Sequence, residues 1–350
     1  MVESSRLQTR GIREERSSHM SEELRSSLDA CSKQVDEFIG KLFPEQGTQD
    51  LYKASTHLLS AGGKRLRPFL VITCCELVGG DSRKAVPVAA AIELIHNFTL
   101  IHDDIMDQDD LRRGVPTVHK LYGTPMAILA GDTLFAKAYE SALKAAEGVS
   151  LKRLLEAFGV MTRATVQICE GQALDMAFEH RLKVTEREYL EMIEKKTATL
   201  LVAAATMGAI IGGGTPREVD RLRRAIRASG LAFQMVDDIL GLTANERTLG
   251  KPVGSDIREG KQTLITIYGL NHSERTEKDL IFRALGNRDA TAEEIDEAMR
   301  ILTSVGAIAY VSARAEAYNR RARAELRKFK PSASRERLLE LLDYVVERDR

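Results

Sequence analysis

Residues 88–107 read VAAAIELIHNFTLIHDDIMD. Val88, Ala89, Ile92, Ile95, Thr99 and Ile101 return at intervals of a helical turn and do not alternate as strand positions would. Leu151, Leu154, Leu155, Phe158 and Val160 repeat the pattern. The chain holds eight prolines, and none falls between Pro125 and Pro216 or between Pro252 and Pro331. Those stretches are rich in Ala, Leu, Glu, Arg and Met, which favour helix. Breaks fall at Gly79-Gly80 and within residues 114–116, 123–125, 212–216 and 250–254. No strand–helix alternation and no short repeat interrupts this reading. The expectation is an all-α fold, one large helical bundle spanning residues 20–350.

Composition narrows the function classes. Of 350 residues, 43% are hydrophobic and 29% charged, which excludes a disordered or collagen-like chain. Lys+Arg and Asp+Glu both number 51, so no overall basic field favours nucleic acid, and any phosphate site must come from a local cluster. Cys31, Cys74, Cys75 and Cys169 lack metal-ligand spacing and read as free thiols of a reducing, cytoplasmic setting. No apolar run reaches the roughly 20 residues of a membrane helix, so no integral membrane segment is expected. Residues 1–19, MVESSRLQTRGIREERSSH, are polar and Arg/Ser-rich. They read as a disordered leader of vector origin ahead of a native Met20, the Ser17-Ser18-His19 junction resembling a cloning scar.

Residues 100–119, LIHDDIMDQDDLRRGVPTVH, carry the first chemistry. Asp103 and Asp107 are four apart and share a helix face. Carboxylates with no paired His or nearby Cys suit a hard cation such as Mg²⁺, which keeps waters and bridges to phosphates. A DD pair arises by chance about once in such a chain, whereas DDxxD has odds of roughly one in fifteen. Arg112-Arg113 follow, and two guanidiniums beyond an acidic cluster can hold diphosphate oxygens. The bland alternative is salt bridging to Asp109 and Asp110. His96 sits about 20° from Asp103 on an ideal wheel and so faces the same side. His102 and His119 read as structural, Gly131-Asp132 as a helix cap, and Met161, Met176 and Met192 as core filling.

Residues 233–261 repeat the order of acids followed by cations. Gln234, Asp237, Asp238 and Gly241 fall on one helical stripe, and Lys251 and Lys261 come after them. Two acidic clusters in one bundle suggest facing helices that each donate carboxylates to a cavity.

With these residues in view, the chain resembles the trans-isoprenyl diphosphate synthases of the polyprenyl synthetase family, most of all a short-chain geranylgeranyl diphosphate synthase. The resemblance runs from about Ala61 to Lys261. It rests on residues 62–68 (GGKRLRP), the DDIMD motif, Arg112-Arg113-Gly114, Gly131-Asp132, Gly171-Gln172 through Asp175, Lys196-Thr197, the second acidic region and Gly250-Lys251-Pro252. One position departs: Gly241 stands where the family's second motif usually has its third aspartate. Asp256 is a nearby source of charge.

The resemblance implies a helical bundle around a central cavity, the isoprenoid synthase fold. It implies Mg²⁺-dependent head-to-tail condensation of isopentenyl diphosphate with dimethylallyl, geranyl or farnesyl diphosphate, releasing pyrophosphate. Asp103 and Asp107 would bind two of three Mg²⁺ with Asp104 in support, Asp237 the third with Asp238 beside it, and Asp175 would lie in the outer metal network. Arg112, Lys196, Gln234, Lys251 and Lys261 would hold the allylic diphosphate; Lys64, Arg67, His96 and Arg113 would hold isopentenyl diphosphate. Thr197 would screen the allyl cation, and the released pyrophosphate would accept the final proton. Phe98, followed by the small Thr99, would set a C20 product, geranylgeranyl diphosphate, with C15 or mixed C15/C20 synthesis as the alternative. An ideal wheel puts Phe98 about 140° from Asp103, so either the helix is distorted near Asn97 or Phe98 acts from the side. A homodimer is the family's usual assembly. The rival readings are a terpene cyclase, disfavoured by the absence of Trp and by the retained KRLRP segment, and a catalytically silent subunit, for which Gly241 alone speaks.

Overall fold

The computed structural model describes residues 20–44, 49–179, 181, 183–243 and 254–347, which are helical almost throughout. Ser21 starts the first helix by accepting a hydrogen bond from the Leu24 N–H. In order come α1 (Glu22–Gly40), α2 (Gln49–Ser60), α3 (Leu66–Leu77) and α4 (Val86–Asp107). Pro87 lies in the first turn of α4, where a missing N–H removes no helical bond. A minimal hairpin pairs β1 (Leu111–Arg112) with β2 (Val115–Pro116). Then follow α5 (Val118–Tyr122), α6 (Thr124–Leu143), α7 (Leu151–Glu179), α8 (Glu186–Ile193), α9 (Thr199–Gly212) and α10 (Pro216–Thr243). The remaining helices are α11 (Ser255–Glu259), α12 (Leu264–His272), α13 (Arg275–Ala284), α14 (Ala292–Ser304), α15 (Ala307–Leu326) and α16 (Ala333–Glu347).

The strongest pairings are α4 on α6, α10 on α15 and α9 on α3. Residues 88–92 of α4, with Leu94 and Ile95, are inaccessible to solvent, so apart from Glu93 the first half of this helix is apolar because it is enclosed on every side. This corrects one expectation. Within Ser82–Asp107 an 18-residue window is apolar enough to cross a membrane, with a mean hydropathy of 1.3, but 72% of that window is buried inside the protein. It is a core helix whose apolar surface faces other helices.

Other expectations change as well. Gly131 and Asp132 lie in the middle of α6 and cap nothing. Met161 and Met192 are core residues, whereas Met176 is exposed. Helix α4 runs unbroken past Asn97, and the Phe98 ring packs on Phe135 of α6 at 5.4 Å and on His102 at 4.8 Å. Cys31, Cys74 and Cys75 are buried free thiols, and burial pushes Cys31 and Cys75 up to about 12. Cys169 is free and exposed.

Candidate active site

Beside the acidic end of α10 lies a cavity of about 220 Å³, lined by Asp175, Lys196, Thr197, Gln234, Asp237 and Lys261 among others. A break in helical regularity aims two of these. The segment Glu194–Ala198 is a single π-helical turn between α8 and α9, a feature that widens a helix locally and re-aims its side chains. It lies so close to α7 that a Cβ on Gly171 would stand 2.3 Å from the Lys196 backbone nitrogen. Lys196 thereby reaches Asp175, one turn beyond Gly171, at 2.6 Å and Asp103 at 3.5 Å.

The second lysine bridges the two walls. Lys261 lies 2.8 Å from Glu259, 3.9 Å from Asp107 and 3.9 Å from Asp256. Burial works against its charge, yet Asp256, Glu259 and Asp107 together hold the ammonium above its ordinary pKa. Lys196 is likewise raised by Asp103 and Asp175 against the cost of burial. Asp107 is pushed up to about 6, chiefly by burial and then by the neighbouring charge of Asp103.

The two Asp-Asp pairs divide their labour. Asp104 is 1% exposed and is bound by Arg112, whose Nε donates to Oδ1 at 2.6 Å. Burial, only partly offset by Arg112, raises Asp104 to about 6. Asp238 accepts hydrogen bonds from the Tyr189 hydroxyl at 2.5 Å and from Gln234 Nε2 at 2.9 Å, and burial raises it to about 7. Gln234 in turn accepts from the Thr197 hydroxyl at 2.7 Å, so both ends of its amide are engaged. A capping box of Thr185 and Glu188 fixes the start of α8 and hence the position of Tyr189.

Arg112 and Arg113 go to different places. Arg113 and Gly114 both have positive φ, 56° and 77°, the backbone demanded by a two-residue hairpin loop. Arg112 turns toward the acids, 2.5 Å from Asp104 and 3.1 Å from Asp109, while Asp110 pairs with Lys120 at 2.7 Å. Arg113 turns the other way and donates to the Leu58 carbonyl at 2.8 Å and to the Gly62 carbonyl. There it joins Arg67, which lies 3.1 Å from His96 Nε2. Burial and then the surrounding guanidiniums drive His96 far below its ordinary pKa, so the neutral ring accepts from Arg67. Burial lowers Arg67 to about 10.

Of the GGKRLRP segment, Arg65 points inward. It takes a left-handed backbone, φ 48°, and is buried against Asp36 at 2.9 Å and Glu93 at 3.0 Å. Lys64 is exposed and donates to the Tyr344 hydroxyl of α16, with its ammonium 4.6 Å from the ring centre. Lys251, with residues 250 and 252, lies outside the described residues, as does the expected leader, residues 1–19. Sequence reasoning missed Tyr189, Tyr344 and Glu93, which no local pattern marks, and it counted Arg65 within GGKRLRP without anticipating its inward turn.

Among the described residues, no three acidic, His or Cys side chains converge tightly enough to cage an ion. Paired carboxylates flanked by lysines and arginines fit Mg²⁺ held jointly by the protein and a diphosphate, because this ion takes one or two carboxylates plus phosphate oxygens.

Residues 48–302 match the polyprenyl synthetase family model. The chain is 47% identical to the short chain isoprenyl diphosphate synthase of Methanothermobacter thermautotrophicus, over 93% of this chain and 98% of that protein. It is 46% identical to the geranylgeranyl diphosphate synthase of Methanosarcina mazei, over 91% and 96%. The crystal structure of geranylgeranyl pyrophosphate synthetase from Pyrococcus horikoshii superposes with a TM-score of 0.89 at 42% identity, over 94% of this chain and 99% of that one.

Proposed function

The chain belongs to the polyprenyl synthetase family, and we propose that it condenses isopentenyl diphosphate with an allylic diphosphate, releasing pyrophosphate and yielding geranylgeranyl diphosphate. The observation that supports this reading is the separation of two charged environments around one bundle. One is a set of carboxylates, Asp103, Asp107 and Asp237, interleaved with Lys196 and Lys261; the other is a cluster of Arg67, Arg113 and neutral His96, in which the His96 ring meets Arg67. The first suits a diphosphate that must leave, the second a diphosphate that is only held.

The reaction breaks an allylic carbon–oxygen bond, so negative charge grows on the departing diphosphate. Mg²⁺ held by Asp103, Asp107 and Asp237, three ions in this reading, supplies Lewis-acid stabilisation of that charge. Lys196 and Lys261 are already charged and fixed before substrate arrives, so they stabilise the leaving group without reorganising. Asp175 keeps Lys196 in place, and Arg112 sits between the acids and the hairpin. The Thr197 hydroxyl, oriented by Gln234, presents its oxygen toward the allyl cation. Arg67, Arg113, His96 and Lys64 orient isopentenyl diphosphate so that its double bond attacks. The released pyrophosphate takes the final proton, and no protein base is needed.

Phe98 continues into a row of rings, with Phe135 to Tyr139 at 5.1 Å and Tyr139 to Phe158 at 6.0 Å. In this reading that row closes the hydrocarbon tunnel at C20, with Thr99 leaving room above it. Ile128 and Leu129 of α6 and Leu151 and Leu155 of α7 are exposed apolar residues that we assign to a homodimer contact. We take residues 20–350 as one catalytic domain working in the cytoplasm. The intact first motif speaks against a silent subunit.

Chain-length analysis of dephosphorylated products, with isopentenyl diphosphate, Mg²⁺ and C5, C10 or C15 starters, tests the proposal. The expected product is the C20 alcohol, moving to longer chains in Phe98→Ser. A C15 or C25-and-longer product from the unaltered protein would overturn the assigned length. No condensation with any starter would overturn the activity and bring forward the silent subunit.

A further inference from the structure

The first half of α10 and the second half of α15 concentrate positive charge. Residues 217–227 and 314–330 hold twelve Lys and Arg against four Asp and Glu, which leaves 39 against 47 in the rest of a chain that is neutral as a whole. The two helices pack on each other, and their charged flanks meet. Arg224 lies 3.3 Å from Glu325, and Arg221 donates to the Lys328 carbonyl at 3.1 Å. The signs are sorted by depth. Every exposed charged side chain in these two stretches is a cation: Arg217, Arg223, Arg224 and Arg227 on α10, and five from Arg320 to Lys330. The four acids are half-buried and already engaged, Asp220 by Arg223 at 2.6 Å, Glu325 by Lys328, Glu316 by Arg320 at 3.8 Å and Glu218 by the Thr215 N–H at 2.8 Å. Glu194, Glu186 and Asp343 of neighbouring segments pair with Arg227, Arg314 and Arg323, so cations still outnumber acids by twelve to seven. A face that only keeps a protein in solution mixes both signs at its outer edge; this one does not.

We propose that this face is a docking surface for an anionic lipid bilayer. Opposite charge supplies the attraction, each Lys or Arg near such a surface strengthening partition by about fivefold. A planar bilayer meets this face alone, whereas a nucleic acid long enough to bend around the protein also meets the excess of acids elsewhere, 47 against 39 cations. The exposed large apolar side chains lie on other elements, Ile128 and Leu129 on α6 and Leu151 and Leu155 on α7 among them. Attachment is therefore electrostatic and reversible, with no insertion into the acyl region. A C20 diphosphate partitions into such a bilayer, so docking places synthesis beside the phase that receives the product. That benefit rests on the product reading given above; the binding itself does not.

The test is co-sedimentation of the full chain with vesicles at low salt, using phosphatidylcholine alone and an equal mixture of phosphatidylcholine and phosphatidylglycerol. Binding is expected to the mixed vesicles only, and it should fall away by roughly 0.5 M salt, where charges are screened over a few ångströms. The triple substitution Arg217→Gln/Arg321→Gln/Arg327→Gln is expected to weaken partition by about 10²-fold. A control, Arg275→Gln/Arg283→Gln/Arg300→Gln, removes the same charge from exposed positions on α13 and α14 and should stay within about threefold of the unaltered protein. Both variants should keep the condensation rate measured without vesicles, and circular dichroism confirms that they fold. Equal losses in the two variants would reduce the effect to overall charge and overturn the inference, as would equal binding to phosphatidylcholine alone or no binding to the mixed vesicles. A random-sequence DNA duplex that strips the protein from mixed vesicles at matched phosphate concentration would overturn the choice of a bilayer. Sedimentation needs no turnover, so a protein that docks and makes no product would sink the proposed function and leave this inference standing.

Discussion

The end of α4 and the end of α10 carry the same two letters, Asp-Asp, and the protein treats both pairs alike. In each, the first aspartate is half-buried and the second is buried: Asp104 is 1% exposed and Asp238, which also touches the cavity, 6%. Adjacent helical residues point about 100° apart, so one helix cannot aim both members of a pair at one ion. The second member becomes a strut. The walls differ in how the strut is held. Asp104 is gripped by a charge, Arg112, which itself belongs to the site. Asp238 is gripped by neutral donors, Tyr189 and Gln234, and Gln234 also orients Thr197. The first wall therefore ties its strut to a fixed charge, and the second ties its strut to groups that line the pocket.

The largest expected effect separates the cavity-facing acids. Asp103→Ala removes one of the two carboxylates beside Lys196 and half of the Asp103–Asp107 pair, and kcat should fall roughly 10³-fold. Asp237→Ala leaves Asp256 in the same wall, and kcat should fall roughly 10²-fold. Initial rates of labelled isopentenyl diphosphate incorporation at saturating Mg²⁺ measure both. Equal losses would mean that the walls are equivalent, and a reversed order would break the comparison.

Much of this was legible before any coordinates. Period and proline spacing revealed the helices, and the shared face of Asp103 and Asp107 followed from their separation alone. What stayed hidden depends on long-range contacts or on backbone irregularity. Nothing near Arg112-Arg113 says that the first turns to Asp104 and the second to the Leu58 and Gly62 carbonyls; that split comes from the left-handed hairpin loop. The string KRLR reads as three equivalent cations, yet Arg65 is drawn inward by Glu93, 28 positions away in sequence. Tyr189 meets Asp238 across 49 positions. Helix α4 is regular, as an ideal wheel requires, but nothing in the sequence anticipates the π turn that aims Lys196.

A smaller effect concerns stability without ligand. Asp104→Asn leaves the buried Arg112 guanidinium with a weaker set of partners, Asp109 among them, and should cost roughly 2–3 kcal/mol. Asp238→Asn replaces a carboxyl that is already raised to about 7; its amide oxygen can still accept from Gln234 and its NH2 can donate to the Tyr189 oxygen, so the cost should be about 1 kcal/mol. Urea unfolding midpoints of the metal-free proteins check this. A larger loss at Asp238 would show that neutral struts bear more than charged ones.

The smallest effect is the most diagnostic. Asp104, Asp107 and Asp238 have folded pKa values raised to about 6, about 6 and about 7, each chiefly by burial. A raised acid holds its proton in the folded state where the unfolded chain has lost it, so its stabilising contribution is complete at low pH and disappears as pH rises through the folded value. The melting temperature of the metal-free protein should accordingly fall by about 2–4 °C from pH 6 to pH 8. His96, lowered by burial and its arginine neighbours, works the other way but only below its unfolded value near 6.5. The exposed carboxylates that are lowered, Asp81, Asp110 and Glu188 among them, titrate at more acidic pH than this window. Adding Mg²⁺ with pyrophosphate should suppress the part of the slope due to Asp107, where an ion replaces the proton, and leave the part due to the struts. Asp238→Asn should flatten the slope between pH 6.5 and 8 with or without Mg²⁺. If Mg²⁺ with pyrophosphate abolished the whole slope instead, Asp104 and Asp238 would be meeting the ion as Asp103 and Asp107 do, and the division of each pair into ligand and strut would be wrong.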